Sequence, residues 1–190
     1  IVATALISIA LPALQGCVPA VATGIGAGAL MIVDRRAGET YLADEAIEIR
    51  SFNRISEKFG DKVHVNVTSY NMKALLTGEV PDEGIKAELE KAIAGVPNVK
   101  GVVNEAQVGA VSGLQARRND TYITSKVKAR FIDANKFQAN HVKVVTESGT
   151  VFLLGLVTRK EGDDAAEIAR TTAGAKKDVR AFEDTELKDA

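Results

Sequence analysis

Apolar and polar positions along the chain change period several times, and the changes recur. From Val65 the pattern is Val65-Asn66-Val67, the alternation of a half-buried strand; after a polar turn at Tyr70-Asn71-Met72 it continues as Leu76-Thr77-Gly78-Glu79-Val80. At a constant offset of 77 residues the same logic returns as Val142-Lys143-Val144, a turn at Glu147-Ser148-Gly149, and Leu153-Leu154-Gly155-Leu156-Val157. Each pair of strands is predicted to form a hairpin. Ahead of each hairpin the spacing lengthens to that of an amphipathic helix. Asp44 leads to Ile47 and Ile55, with Ser51 interrupting the stripe, and Asp120 leads to Ile123, Val127 and Phe131. Both aspartates are expected to act as N-caps, accepting the free N–H groups of the first helical turn. Behind each hairpin a second helix is predicted. The first opens at Pro81-Asp82-Glu83 and runs through Ile85, Leu89 and Ile93 to Gly95. The second spans about Thr158 to Gly174 and buries Ala165, Ile168 and Ala169. A last strand closes each unit, at Asn98 to Val108 and at Asp178 to about Glu183.

Helix, strand, strand, helix, strand, twice over, with Gly-centred hairpins at Gly78 and Gly155 and the run Asn119-Asp120-Thr121-Tyr122-Ile123-Thr124, resembles the BON module, named for bacterial stress-induced and nodulation proteins. The resemblance implies an α+β fold: two tandem αββαβ BON modules, each a three-stranded mixed sheet with two helices on one face. The expected division is a signal peptide over 1–16, a lipidated N-terminus and flexible tether over 17–42, a first module over 43–109, a linker over 110–118, a second module over 119–185 and a tail over 186–190. Glycine inside a strand marks a bulge or a close backbone approach. At Gly78 and Gly155 the following helix is expected to pack directly over the strand.

The apolar run that opens the sequence is of another kind. Residues 1 to 16 carry no charge. Ile1 to Leu14 supply the stretch of roughly 7–15 apolar residues that a secretory signal needs, with Gly16 as the small residue at the cut. Pro12, Gly16 and Pro19 break it well short of the roughly 20 continuous apolar residues of a membrane span. Leu14-Gln15-Gly16-Cys17 resembles a bacterial lipoprotein signal, which implies lipid attachment at Cys17, the one cysteine of the chain. Gln15 departs from the small residue usual in its slot. The leader is expected to be cut short at its start, because no methionine or basic residues precede Ile1. With this leader in front of the tandem modules, the whole chain resembles a dual-BON-domain outer-membrane lipoprotein of Gram-negative bacteria. In such lipoproteins an Asp directly after the cysteine retains the protein in the inner membrane. Val18 stands there instead, so the expected location is the inner leaflet of the outer membrane, on its periplasmic face.

Charge changes the picture more than composition does. The chain carries a net charge of -1 overall, but residues 44 to 108 sum to -3 and residues 117 to 190 to +2. Between 117 and 143 stand Arg117, Arg118, Lys126, Lys128, Arg130, Lys136 and Lys143, against only Asp120 and Asp133. At about 100° per residue, Ile123, Val127 and Phe131 form the stripe that faces the sheet. Tyr122 points away from it, flanked by Ser125, Ala129 and Ile132, with Lys126 one turn on and Arg130 at the border. An outward tyrosine with small and aliphatic neighbours, framed by basic groups, suits the boundary between lipid headgroups and acyl chains. The BON resemblance implies that this helix binds anionic phospholipid, with an aromatic at the place of Tyr122. The candidate phospholipid-binding residues are therefore Tyr122, Ser125, Lys126, Ala129, Arg130 and Ile132. A solvated charged helix with a surface tyrosine is the plainer reading of the same residues. Glu45, Glu48 and Glu57 make the corresponding face of the first module too acidic for this role, which leaves it packing or protein contact. Arg117 and Arg118 are alternatively placed to dock onto that acidic module.

Other chemistry is thin. No Ser-His-acid arrangement, free cysteine nucleophile or metal-ligand spacing is present, so a binding protein of the envelope is expected, not an enzyme, with no cofactor and no small-molecule substrate. His64 and His141 occupy equivalent places before each Val-x-Val strand, with no carboxylate or cysteine cluster beside them, and no metal site is expected. Gly24-Ile25-Gly26-Ala27-Gly28 resembles part of a dinucleotide fingerprint, but no strand precedes it, and it reads as tether. The basic cluster is of a kind that meets nucleic acid, which a periplasmic lipoprotein does not encounter. The expected partner is an anionic phospholipid membrane. The alternatives are an adaptor for outer-membrane protein assembly machinery or a peptidoglycan-linked partner, and a stress-induced holdase.

Overall fold

A computed structural model describes residues 35, 36 and 38 to 184; the expected signal peptide and Cys17 lie outside the described residues. The elements run α1 (Gly38–Phe59), β1 (His64–Tyr70), β2 (Lys73–Val80), α2 (Glu83–Ala94), β3 (Gly101–Asn104) and β4 (Gln107–Val108). They then repeat as α3 (Leu114–Ala134), β5 (Val142–Glu147), β6 (Thr150–Val157), α4 (Arg159–Arg170) and β7 (Lys177–Asp184). In the first sheet β2 is central, antiparallel to β1 and parallel to β3 and β4. In the second β6 is central, antiparallel to β5 and parallel to β7. Both sheets are mixed, as the resemblance implied. The predicted strand from Asn98 to Val108 is broken at Glu105-Ala106, where the Ala106 N–H donates to the Asn104 side chain at 3.3 Å instead of to the ladder.

The second helices begin where their caps stand. Asp82 accepts from the Ile85 N–H at 2.8 Å, and Thr158 forms a capping box with Glu161, so a free N–H of each first turn finds its acceptor. α4 stops at Arg170, short of the expected Gly174: the Thr172 N–H bonds the Ala169 carbonyl three residues back, and the Thr171 and Thr172 hydroxyls donate to the carbonyls of Glu167 and Ile168.

The first helix of each repeat departs from expectation. α1 starts at Gly38 and α3 at Leu114, so Asp44 and Asp120 lie inside helices and cap neither. They do accept backbone N–H groups, but those of the hairpin turn. Asp44 receives the N–H of Asn71 at 2.8 Å and of Met72 at 2.7 Å. Asp120 receives the N–H of Ser148 at 2.9 Å and of Gly149 at 2.8 Å. Both turns hold two residues at positive φ, 52° and 66° in the first and 52° and 81° in the second. Such a turn matches the twist of the strands but leaves its N–H groups without ladder partners. A buried carboxylate from the overlying helix supplies them. The first five residues of α3, Leu114 to Arg118, lie in the stretch expected as linker.

Packing forms three cores. Ile47, Ile55 and Phe59 of α1 and Leu89 and Ile93 of α2 bury Ala74, Leu76 and Val80 of β2. Ile123, Val127 and Phe131 of α3 and Ala165, Ile168 and Ala169 of α4 bury Val151, Leu153 and Val157 of β6. The third core joins the modules: Tyr70 and Leu75 of the first meet Phe152 and Leu154 of the second, with Val103, Val145 and Val179 against them. The two sheets therefore pack through their helix-free faces, and each central strand is buried on both sides. No helix among the described residues is long and apolar enough to cross a membrane.

Gly78 and Gly155 are structural, though the crowding comes from a different neighbour than expected. A Cβ at Gly78 would stand 2.0 Å from the His64 carbonyl oxygen, and one at Gly155 would stand 2.6 Å from that of His141. The backbone at or just before the start of the partner strand excludes the side chain, not the following helix.

Candidate functional site

α3 presents its outer face away from both sheets. Tyr122 is 62% exposed and Ile132 68%; Ser125 and Ala129 are exposed between them. The Tyr122 ring is therefore clear of the contact between modules. The Lys126 ammonium stands 4.8 Å from the centroid of that ring and donates to the Ala173 carbonyl. These two side chains are brought together as a cation on an aromatic.

Arg130 is used differently. Its guanidinium donates to the Ile168 carbonyl and the Thr172 hydroxyl, both at 2.8 Å, and to the Thr171 hydroxyl at 3.1 Å. It closes the C-terminal end of α4, where the last carbonyls favour a cation, and so leaves the outward frame expected of it. Other members of the basic cluster are likewise engaged. Lys136 pairs with Asp164 at 2.6 Å, which holds that carboxyl below the usual carboxylate range, together with Lys160. Lys143 pairs across the modules with Glu48 at 2.7 Å and donates to the Ser69 carbonyl at 3.3 Å. Arg117 donates to the Ser112 carbonyl. Arg118 and Lys128 are exposed. Arg118 sits one turn before Tyr122, and Leu114, 64% exposed, two turns before it; the i−4 and i−8 spacings were the signal that could have added both. Ile132, at the other end, lines a groove of about 390 Å³ with Tyr41, Tyr70 and Lys128.

Three further features escaped sequence reasoning. Arg35 makes a bidentate pair with Glu161, at 2.6 and 2.7 Å, and donates to the Leu156 carbonyl. The chain just ahead of the first module is thus held to the second, and the guanidinium keeps the Glu161 carboxyl down at about 2. On α1, Leu42, Ile49 and Phe52 are exposed beside Glu45, at helical spacing. Sequence reasoning saw only the acidic residues of that face. Finally His64 is not without carboxylates. Its Nδ1 lies 3.0 Å from Glu79, and Glu147 of the second module joins them, with ligand atoms all within 4.8 Å of one another. Burial pushes the Glu147 carboxyl up, opposed by the hydrogen bond from Asn66. These three residues are 15 and 68 positions apart along the chain, and only the stacking of the sheets unites them.

The BON domain profile matches residues 44–110 and 119–180. Among curated proteins the chain is 35% identical over 171 residues to outer membrane lipoprotein DolP of Haemophilus influenzae, covering 89% of each chain. It is 32% identical over 150 residues to a 21 kDa hemolysin of Actinobacillus pleuropneumoniae, covering 78% of this chain and 77% of that protein. Over 118 residues it is 32% identical to osmotically-inducible protein Y of Escherichia coli, covering 59% of this chain and 57% of that one.

Proposed function

The chain belongs to the BON domain family, and on that premise we propose that it is a lipid-anchored periplasmic protein of the outer membrane that binds anionic phospholipid through α3. Cys17 carries the acyl anchor, and the protein faces the periplasm from the inner leaflet. The observation that carries the reading is the exposed Tyr122 ring with the Lys126 ammonium against it. An amphipathic ring with a cation at its side matches the interfacial layer, where aromatic bodies sit among headgroups. Leu114, Ala129 and Ile132 extend the apolar contact, and Arg118 and Lys128 add cations, each contributing about 1 kcal/mol near an anionic surface. Added to the acyl anchor, this contact acts at high effective concentration and makes residence sensitive to lipid composition. Support of outer-membrane integrity follows from that second hold.

The test is co-sedimentation of a fragment of residues 34–190, which keeps Arg35, with vesicles containing or lacking phosphatidylglycerol. Binding is expected only with the anionic lipid, to weaken in salt, and to fall on Tyr122→Ala. Indifference to all three conditions overturns the reading.

The exposed Leu42, Ile49 and Phe52 favour a second role, protein contact through α1. An outer-membrane assembly partner is the adaptor version of this role. A Phe52→Ser variant that loses a protein partner while keeping vesicle binding would separate it from the lipid role.

A further inference from the structure

We propose that His64, Glu79 and Glu147 form a site for a divalent transition metal of the zinc class, which clamps the two modules together. His64 and Glu79 come from facing positions of β1 and β2, and Glu147 from the end of β5 in the other module. Glu79 is 5% and Glu147 7% exposed. Two carboxylates buried within reach of one another repel, and a cation bound between them offsets that cost. The side chains hydrogen-bonded to them are His64, Asn66 and Ser148, the last two neutral. Arg117 lines the same groove but donates to the Ser112 carbonyl.

One imidazole nitrogen with carboxylate oxygens is a donor set for zinc-like ions, whereas calcium and magnesium take oxygen alone. Ligand atoms about 2.0–2.2 Å from a tetrahedral ion stand about 3.3 Å apart. The separation of 3.0 Å between His64 Nδ1 and Glu79 is close to that, and Glu147 offers a third ligand atom within 4.8 Å of the other two. A second observation points the same way. Thr77 lies across from Asn66 on the face of β2 that carries Glu79. Its hydroxyl is buried without a hydrogen-bond partner. A water completing the metal's coordination would supply one. The groove beside the cluster, lined also by Thr124 and Val145, gives the ion its way in.

The experiment is calorimetric titration of zinc chloride into the full chain in detergent micelles, stripped with EDTA and carrying Cys17→Ser to remove the competing thiol. One equivalent is expected to bind, and the thermal midpoint followed by circular dichroism is expected to rise with it. Glu147→Gln keeps the Asn66 hydrogen bond and relieves a buried charge, so this variant folds without metal. It and His64→Ala should each bind more than about 100-fold more weakly, a larger loss than removing an outer-sphere partner causes. Calcium and magnesium should give no saturable heat. Absence of saturable zinc binding, unchanged affinity in either variant, or equal binding of calcium overturns the proposal. The vesicle assay of α3 does not depend on this result.

Discussion

The Nζ of Lys126 is shared between the Tyr122 ring, 4.8 Å from its centroid, and the Ala173 carbonyl. The cation is thereby held over the one exposed aromatic of α3 and cannot swing to the far side of the helix. Tyr122→Trp should strengthen binding to anionic vesicles, because the larger ring inserts more apolar surface at the interface. Tyr122→Ala should weaken it.

Arg118 and Arg130 should respond differently. Arg118 is exposed on the face of Tyr122, so Arg118→Glu reverses a charge on the proposed lipid-binding face. A loss of about 2 kcal/mol, roughly thirtyfold in vesicle affinity at low salt, is expected. Arg130 holds the end of α4. Arg130→Gln should lower the urea midpoint while leaving vesicle affinity nearly unchanged.

The turn-binding aspartates should be costly to remove. Asp44 is 1% exposed and also accepts from the Ser69 hydroxyl and from Arg36, each at 2.7 Å. Asp44→Ala takes the acceptor from two half-buried turn N–H groups, a loss of about 3 kcal/mol in urea unfolding. Asp120→Ala should follow the same direction.

Acid should release the Arg35 contact. Glu161 sits at about 2 in the folded protein against the ordinary value of 4.5, so its folded-state pKa is depressed. The stabilisation is complete above pH 4.5 and is lost as pH falls toward 2. It amounts to well under about 3 kcal/mol, because solvent screens a pair this open. In urea unfolding at pH 7 and pH 3, Glu161→Gln should be less stable at the higher pH and lose less on acidification than the parent.

Hairpin glycines should rank by clearance. Gly78 has φ +112°, and a methyl there would meet a carbonyl oxygen at 2.0 Å, whereas at Gly155 the corresponding clearance is 2.6 Å. Gly78→Ala should cost roughly 2–3 kcal/mol, and Gly155→Ala less. Gly38, with nothing within 4 Å, is the matched control.

Much of this arrangement is legible in single residues. The offset between Val65 and Val142 announces the repeat, and Ile123, Val127 and Phe131 place Tyr122 outward, because helical period is a local property. Asp44 and Asp120 mislead for the opposite reason. An Asp before an apolar stripe reads as a cap, and only the hairpin's return beneath the helix reveals its actual N–H donors. The cluster of His64, Glu79 and Glu147 is illegible for a similar reason, since His64 and Glu147 belong to different sheets. The contact between those sheets left a trace that periodicity does record. Val151 to Leu154 do not alternate with polar residues, the mark of a strand covered on both sides.

That double covering bears on how the repeat can be used. A single copy would expose Leu75 or Phe152 with its apolar neighbours as an open greasy surface, which soluble monomers rarely tolerate. Each half is therefore the other's lid. A half-length form of this chain would need to pair with itself or recruit another cover to stay in solution.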